Sequence, residues 1–207
     1  MFQQFYNLVD TIIVGQFLGV SALAAVGSTG SLNFMIIGFC MGLCSGFAIP
    51  VAQKFGAKDF CGMRQFVFNS AVLGGIFAIV LTAVTVIFCR SLLLLLKTPA
   101  DVIDGAYDYF VVILAGIPVV ILYDLLSGII RSVGDSKTPL YFLIFSAILN
   151  IILDLIFIAC FGWGIPGAAY ATVISQGVAG IICFFYMHRK FEILRLNKED
   201  RIFNSKR

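Results

Sequence analysis

The chain has 207 residues, of which 60% are hydrophobic and 12% are charged, and its formal net charge is +3. Because an average soluble domain has about 25% charged residues, this composition excludes an ordinary soluble domain and predicts an integral membrane protein in a lipid bilayer. The charges form no basic patch with interleaved aromatic residues, so we expect no nucleic-acid partner.

The charged residues divide the apolar sequence into six stretches, each of about the length that crosses a bilayer as an α-helix. We therefore predict an all-α fold with a six-helix transmembrane lobe at 1–187 and a charged cytoplasmic tail or interlobe linker at 188–207. Pro118 is expected to bend the fourth helix, because proline removes a backbone hydrogen bond. The first helix is short, and we expect Met1 to be a late start or a fragment boundary. The predicted helices cover about 1–18, 32–53, 65–89, 106–130, 140–161 and 168–187.

Lys and Arg are distributed unequally between the two sides of the predicted bundle. The 54–64 loop holds three, the 131–139 loop two and the tail seven, whereas the 90–104 connector holds two. Because cytoplasmic loops are enriched in Lys and Arg, both loops and the tail are predicted to be cytoplasmic. Six spans then place the N-terminus inside too, which predicts a multi-pass protein of the cell membrane with both termini cytoplasmic.

Four polar side chains interrupt the apolar helices at a similar predicted depth. Asp154 is the only formal charge in the fifth and sixth predicted helices, and Asn150 precedes it by one turn on the same face. An ionisable group in such a helix costs at least about 2.5 kcal/mol and commonly faces a bundle interior or a wet cavity. With a rise of about 1.5 Å per residue, Asp10 and Thr172 fall within a turn or two of the same depth. We predict that the four side chains share one pocket in the outward half of the bundle, with the two carboxyls within about 8 Å of each other.

Each of the four has a simpler explanation, which the sequence leaves open. Asp10 lies near the chain end, where it would be solvated, and Asp154 would form a structural pair. Asn150 would hydrogen-bond a neighbouring helix, and Thr172 would bond the backbone of its own helix.

A third intramembrane carboxyl, Asp124, lies nearer the predicted cytoplasmic edge and outside this cluster. It shares a helical stripe with Ser127 and Arg131. We favour a structural interaction at this position over a role in transport.

Six cysteines are scattered mostly within apolar stretches, and the single histidine, His188, lies far along the chain. A metal site needs more thiolate or nitrogen ligands close together, so we expect none. We interpret the thiols as small buried apolar side chains. They are Cys40, Cys44, Cys61, Cys89, Cys160 and Cys183.

Several segments follow the order of one known family over most of the chain. They are NLVDTIIVG at 7–15 with LAAVG at 23–27, VAQKFGAKD at 51–59, RSVGDSKTP at 131–139, NIILD at 150–154 and GAAYATVISQ at 167–176. These segments resemble the first six helices and their loops in multidrug and toxic compound extrusion (MATE) transporters.

The resemblance implies the N-terminal lobe of a secondary active antiporter that is built from two six-helix lobes. Such a protein exports organic, often cationic, compounds or drugs in exchange for H⁺ or Na⁺. It is not an enzyme, and it needs no cofactor beyond the coupling ion. Its partners would be the small organic substrate and a second six-helix lobe, either a missing C-terminal half or another copy. Two alternatives are a lipid-linked precursor flippase of the wider superfamily and a non-transporting fragment or scaffold.

The resemblance also implies which residues bind the coupling cation. The family's N-lobe site uses an Asp in helix 1, an Asn and an Asp in helix 5, and a Thr in helix 6. The corresponding positions are Asp10, Asn150, Asp154 and Thr172, with Tyr6 as a possible neighbour. We therefore expect one lobe to provide one wall of the transport cavity, so that the chain is the first half of a longer polypeptide or pairs with a second lobe.

Overall fold

The computed structural model describes the backbone of residues 2–194 and the side chains of residues 9–194. These residues are mostly helical, and no β-strand occurs among them. The predicted charged tail lies outside the described residues from position 195 onward. The helices are α1 (Phe2–Leu18), α2 (Val20–Gly56), α3 (Phe60–Ile87), α4 (Cys89–Leu95), α5 (Ile103–Ala115), α6 (Ile117–Ser132), α7 (Lys137–Asp154), a π-helix (Leu155–Cys160), α8 (Ile165–Lys190) and a 3₁₀ turn (Glu192–Leu194).

Four helices are long and apolar enough to cross a bilayer: α2, α3, α8, and α7 with the π-helix that continues it. The pair α5 and α6 provides a fifth crossing if the two form one bent span. The apolar part of α1 among the described side chains, Val9–Leu18, is shorter than a bilayer-spanning helix. The all-helical membrane fold is therefore confirmed, whereas the predicted count of six spans is not reached within the described part of the chain.

The break between α1 and α2 is a single residue, Gly19, whose φ of 85° lies in the left-handed region that favours glycine. The sequence analysis places the next helix at about 32, because small and polar residues precede it. In the structure this stretch is the first part of α2, which begins at Val20. Its hydroxyl groups are satisfied within the helix, since Ser28 donates to the Ala25 carbonyl and Thr29 to the Val26 carbonyl, both at 2.7 Å.

The bend predicted near Pro118 is confirmed, and it lies just before that residue. The axes of α5 and α6 differ by 43°, with Gly116 between them. Pro118 has no N–H and cannot continue the α-helical hydrogen bonds of α5 into α6. Beyond the bend, α6 contacts α2, α3 and α8, whereas α5 packs mainly against α8 and α2.

Candidate functional site

The middle of α1 and the end of α7 bring two buried carboxyl groups close together. Asp10 is 3% exposed and Asp154 is 0% exposed, and the two carboxyls are close enough to interact with each other. They are therefore adjacent, as predicted for a pair whose charges are coupled. Burial also removes the simpler explanation of Asp10 as a solvated residue near the chain end.

The amide of Asn150 lies one turn before Asp154 on α7 and is likewise 0% exposed. Its Nδ2 donates a hydrogen bond to Thr172 Oγ1 on α8, at 3.3 Å. This is the interhelical bond that the simpler explanation of Asn150 expects. Because Asn150 also lies one turn from Asp154 on α7, the Asn150–Thr172 pair and the carboxyl pair form one cluster on α1, α7 and α8.

The cluster is rich in oxygen atoms that no donor satisfies. Within residues 9–194, no hydrogen-bond partner is found for either oxygen of Asp154, for Asp10 Oδ1 or for Asn150 Oδ1. Buried polar groups normally have partners, because leaving one unpaired is costly. Two carboxylates cannot bond each other without a proton on one of them. The arrangement can therefore hold a shared proton, or a cation that prefers oxygen ligands.

Directly after Asp154 the helix changes from α to π geometry, over Leu155–Cys160. A π-turn widens the helix locally, and such turns are frequent at functional sites. One continuous helix is predicted here, over about 140–161. The change of geometry places Asp154 at the junction of the two helical forms.

Tyr109 is a member of the cluster that the sequence analysis does not identify. Its Oη donates to Asp10 Oδ2 at 3.4 Å, and the residue is 5% exposed. It lies on α5, just before the bend at Gly116, and 99 residues separate it from Asp10. No sequence signal marks it, because tyrosines are common in membrane helices and its partner is set by packing. Tyr6, the possible neighbour, has no described side chain.

A small cavity adjoins the cluster on the side of α2. It measures about 20 Å³ and is lined partly by Asn33, Tyr109, Thr172 and Gln176. That volume corresponds to roughly one water molecule. The polar region thus continues from the carboxyl pair toward α2, through side chains that can form hydrogen bonds to a small ligand such as water.

A separate hydrogen-bond network lies at the loop between α6 and α7. Asp135 accepts hydrogen bonds from Thr138 N at 3.1 Å, Thr138 Oγ1 at 2.8 Å, Tyr186 Oη at 3.2 Å and Lys190 Nζ at 3.3 Å. Desolvation alone raises the pKa of Asp135, but these hydrogen bonds outweigh it and lower the pKa to about 2. The network joins the start of α7 to the end of α8.

Comparison with known proteins identifies the family. The family model MatE matches residues 1–156, which is most of the chain and includes Asp10, Asn150 and Asp154. The chain belongs to the MatE family. Its members are transporters and not enzymes, they need no cofactor, and they are multi-pass membrane proteins with small-molecule substrates.

Individual relatives agree with this assignment. The chain is 35% identical over 199 residues to the probable multidrug resistance protein YoeA of Bacillus subtilis, covering 94% of this chain and 43% of that protein. It is 30% identical over 197 residues to the multidrug export protein MepA of Staphylococcus saprophyticus, covering 93% and 43%. The chain thus spans less than half the length of these relatives.

Solved structures of the family share the fold. A crystal structure of MATE in the bent conformation matches with a TM-score of 0.92 and 30% identity, covering 99% of this chain and 46% of that one. An outward-facing MATE family transporter of the MOP superfamily matches with a TM-score of 0.89 and 29% identity, covering 99% and 45%. The chain therefore has the fold of one half of such a transporter.

Proposed function

We propose that this chain is one lobe of a secondary active antiporter that exports organic, often cationic, compounds in exchange for H⁺ or Na⁺. The observation that carries the proposal is the buried contact between Asp10 and Asp154, beside the Asn150–Thr172 pair. An ionisable pair inside membrane helices is costly and is retained where it binds ions or protons. The relatives named as multidrug resistance and export proteins agree with this direction of transport.

Coupling would arise because the two carboxyls come from different helices. With a shared proton or a bound Na⁺, the contact between α1 and α7 is attractive. Without either, two adjacent carboxylates repel in a medium that screens them poorly. Loss of the cation would then favour a packing in which α1 moves away from α7, and the ligand would shift the balance between two conformations by its differential affinity.

The sign of the interior charge favours a cationic substrate. Among the described side chains, the buried charged residues are all acidic: Asp10, Asp124 and Asp154. A cavity lined by one sign of charge concentrates ligands of the opposite sign. A flippase for anionic lipid-linked precursors would need buried cations instead, and so we prefer the drug or organic-cation exporter.

A second lobe is part of the proposal. Transporters built from two repeats bind their substrate at the interface between the halves. This chain spans less than half the length of its relatives. We propose that a C-terminal half or another copy completes the cavity, and that both termini are cytoplasmic, as the Lys and Arg distribution predicts.

The proposal is tested by transport assays on the native protein, purified together with any second lobe that accompanies it in its membrane. In proteoliposomes, an inward H⁺ or Na⁺ gradient should drive the export of a cationic dye such as ethidium. Asp154→Asn keeps the side-chain shape but removes the acid, and it should abolish gradient-driven export. Asp101→Asn, in an exposed turn, is the matched control and should export normally. Undiminished export by Asp154→Asn would contradict the proposed coupling site.

A further inference from the structure

Helices α2 and α6 pack closely along a narrow seam. Cys44 Sγ lies 3.8 Å from the Ile121 carbonyl oxygen, to which it donates, and Ser132 Oγ donates to the Ala48 carbonyl at 2.9 Å. A Cβ added at Gly128 would lie 3.2 Å from Ala48 Cβ. Ile121, Gly128 and Ser132 share one face of α6, so the seam is a continuous stripe of close backbone approach.

Asp124 lies within this stripe, three residues after Ile121 and four before Gly128. It is 8% exposed, and its Oδ2 is buried without a hydrogen-bond partner among the described residues. This oxygen is therefore enclosed by the seam, with no hydrogen-bond donor among the described residues.

The groups facing Asp124 cannot neutralise a charge on it. From α2 come the Cys40 and Cys44 thiols, both buried. On α6 itself, the neighbouring Tyr123 donates its hydroxyl to the Pro139 carbonyl at 2.8 Å. Arg131 acts only through space from two turns away, since its side chain is exposed and forms no hydrogen bond to Oδ2.

The remaining helices around α6 add little. From α8 the Cys183 thiol faces Ser127, one turn along from Asp124. Within residues 9–194, α3, α5 and α7 supply no hydrogen-bond donor to Asp124 Oδ2. The attraction between Asp124 and Arg131 is thus weak and distant and is not an ion pair.

We propose that Asp124 is a second proton-binding site and that its protonation holds the α2–α6 seam closed. A buried carboxylate with no donor costs several kcal/mol, and a carboxyl in such a place becomes neutral instead. The described side chains of the seam offer oxygen ligands from Asp124, Ser127 and Ser132, too few for a metal cation, which prefers about six. Ionisation would favour an opened seam that admits water. The site lies on a different helix pair from Asp10 and Asp154 and stands independently of their role.

Infrared spectroscopy tests proton binding directly. In the Asp10→Asn, Asp154→Asn double variant of the reconstituted chain, Asp124 is the only buried carboxyl left among the described residues. We expect a carbonyl band of a protonated carboxylic acid near neutral pH, which fades at alkaline pH and is absent after addition of Asp124→Asn. A band that persists in the triple variant, or no band in the double variant, would overturn the proposal. Asp124→Glu, which keeps the acid, should shift the band without removing it.

The native cysteines report whether the seam opens. In a chain that retains Cys44 alone, the rate of maleimide labelling is compared with and without Asp124→Asn at each pH. An ionised Asp124 disfavours the Cys44 thiolate, so this electrostatic effect opposes the expected rise and cannot produce it. Below the pKa of a single acid, its ionised fraction grows about tenfold per pH unit. The labelling rate with Asp124 present, divided by the rate in Asp124→Asn, should therefore rise by up to about tenfold per pH unit. A chain that retains Cys89 alone, buried outside the seam, should give a constant ratio near one. A constant ratio at Cys44, or the same rise at Cys89, would contradict the link between Asp124 and the seam.

Discussion

Substitution of Gly116 by alanine tests the close packing between the α5–α6 bend and α8. An added Cβ would lie 2.5 Å from Val173 Cγ2, 3.2 Å from Val173 Cγ1 and 3.1 Å from the Ile113 carbonyl oxygen. Carbon atoms in contact are about 3.5–4.0 Å apart, so α8 must move by about 1 Å at this point. Val173 cannot simply rotate away, because its χ1 is stiff in a helix.

The expected size of the effect follows from two opposing terms. Overpacking of this kind costs about 1–3 kcal/mol. Alanine gains up to about 1 kcal/mol over glycine in helical backbone, and Gly116, with φ of −78°, needs no left-handed conformation. With the full alanine gain subtracted, we therefore expect Gly116→Ala to lower the free energy of unfolding by up to about 2 kcal/mol.

The matched control is Gly75→Ala in the middle of α3, where an added Cβ meets no atom within 4 Å. This variant should be as stable as the unchanged protein, or more stable by up to about 1 kcal/mol. Thermal unfolding in a mild detergent compares the three proteins. Equal stability of Gly116→Ala and Gly75→Ala would refute the close contact between the bend and α8.

Four further results are expected. Asp135→Asn should destabilise the protein by about 1 kcal/mol at neutral pH, since solvent screening reduces the effect of the lowered pKa. In thermal unfolding, this loss of stability should disappear as the pH falls from about 4 toward 2. The control Asp101→Asn should have no effect. Tyr109→Phe removes one long hydrogen bond to the carboxyl pair and should weaken cation binding by about 0.5–1.5 kcal/mol, as measured by titration; unchanged affinity would argue against the contact. Cysteines at Lys58 and Trp163, in a background without native cysteines, should be labelled from the cytoplasmic and outer sides respectively, and the reverse pattern would contradict the topology. The 207-residue chain, reconstituted as a verified monomer, should show no ion-driven dye efflux, and robust efflux lost in Asp154→Asn would show that one lobe suffices.

The sequence predicts those parts of the site that depend on helix geometry alone. The one-turn spacing of Asn150 and Asp154 follows from the helical repeat, and the similar depth of Asp10 follows from the fixed rise per residue. The structure brings these residues together as the geometry predicts. Their role in binding a cation stays a prediction.

The parts that the sequence does not predict depend on packing between distant segments or on a single residue. Tyr109 contacts Asp10 across 99 positions of the chain, and no local pattern around Tyr109 indicates this partner. The start of α2 at Val20 depends on Gly19, whose left-handed backbone compresses the expected connector into one residue. The absence of hydrogen-bond donors at Asp124 Oδ2 among the described residues cannot be predicted from the sequence, because helical periodicity does not show which α2 side chains pack against α6.

The central claim is that Asp10 and Asp154 act as one cation-binding unit. The most direct test counts the protons that the reconstituted protein releases between about pH 5 and 9, for the unchanged protein, each Asp→Asn single variant and the double variant, with and without Na⁺. If the pair shares one proton, repulsion from the second carboxylate delays its release to higher pH, so each single variant should release its remaining proton at lower pH than the unchanged protein. The double variant should release none from this site, and any Na⁺-induced proton release should disappear in it. Release at the same pH in the unchanged protein and in both single variants, as for independent sites, would contradict the account.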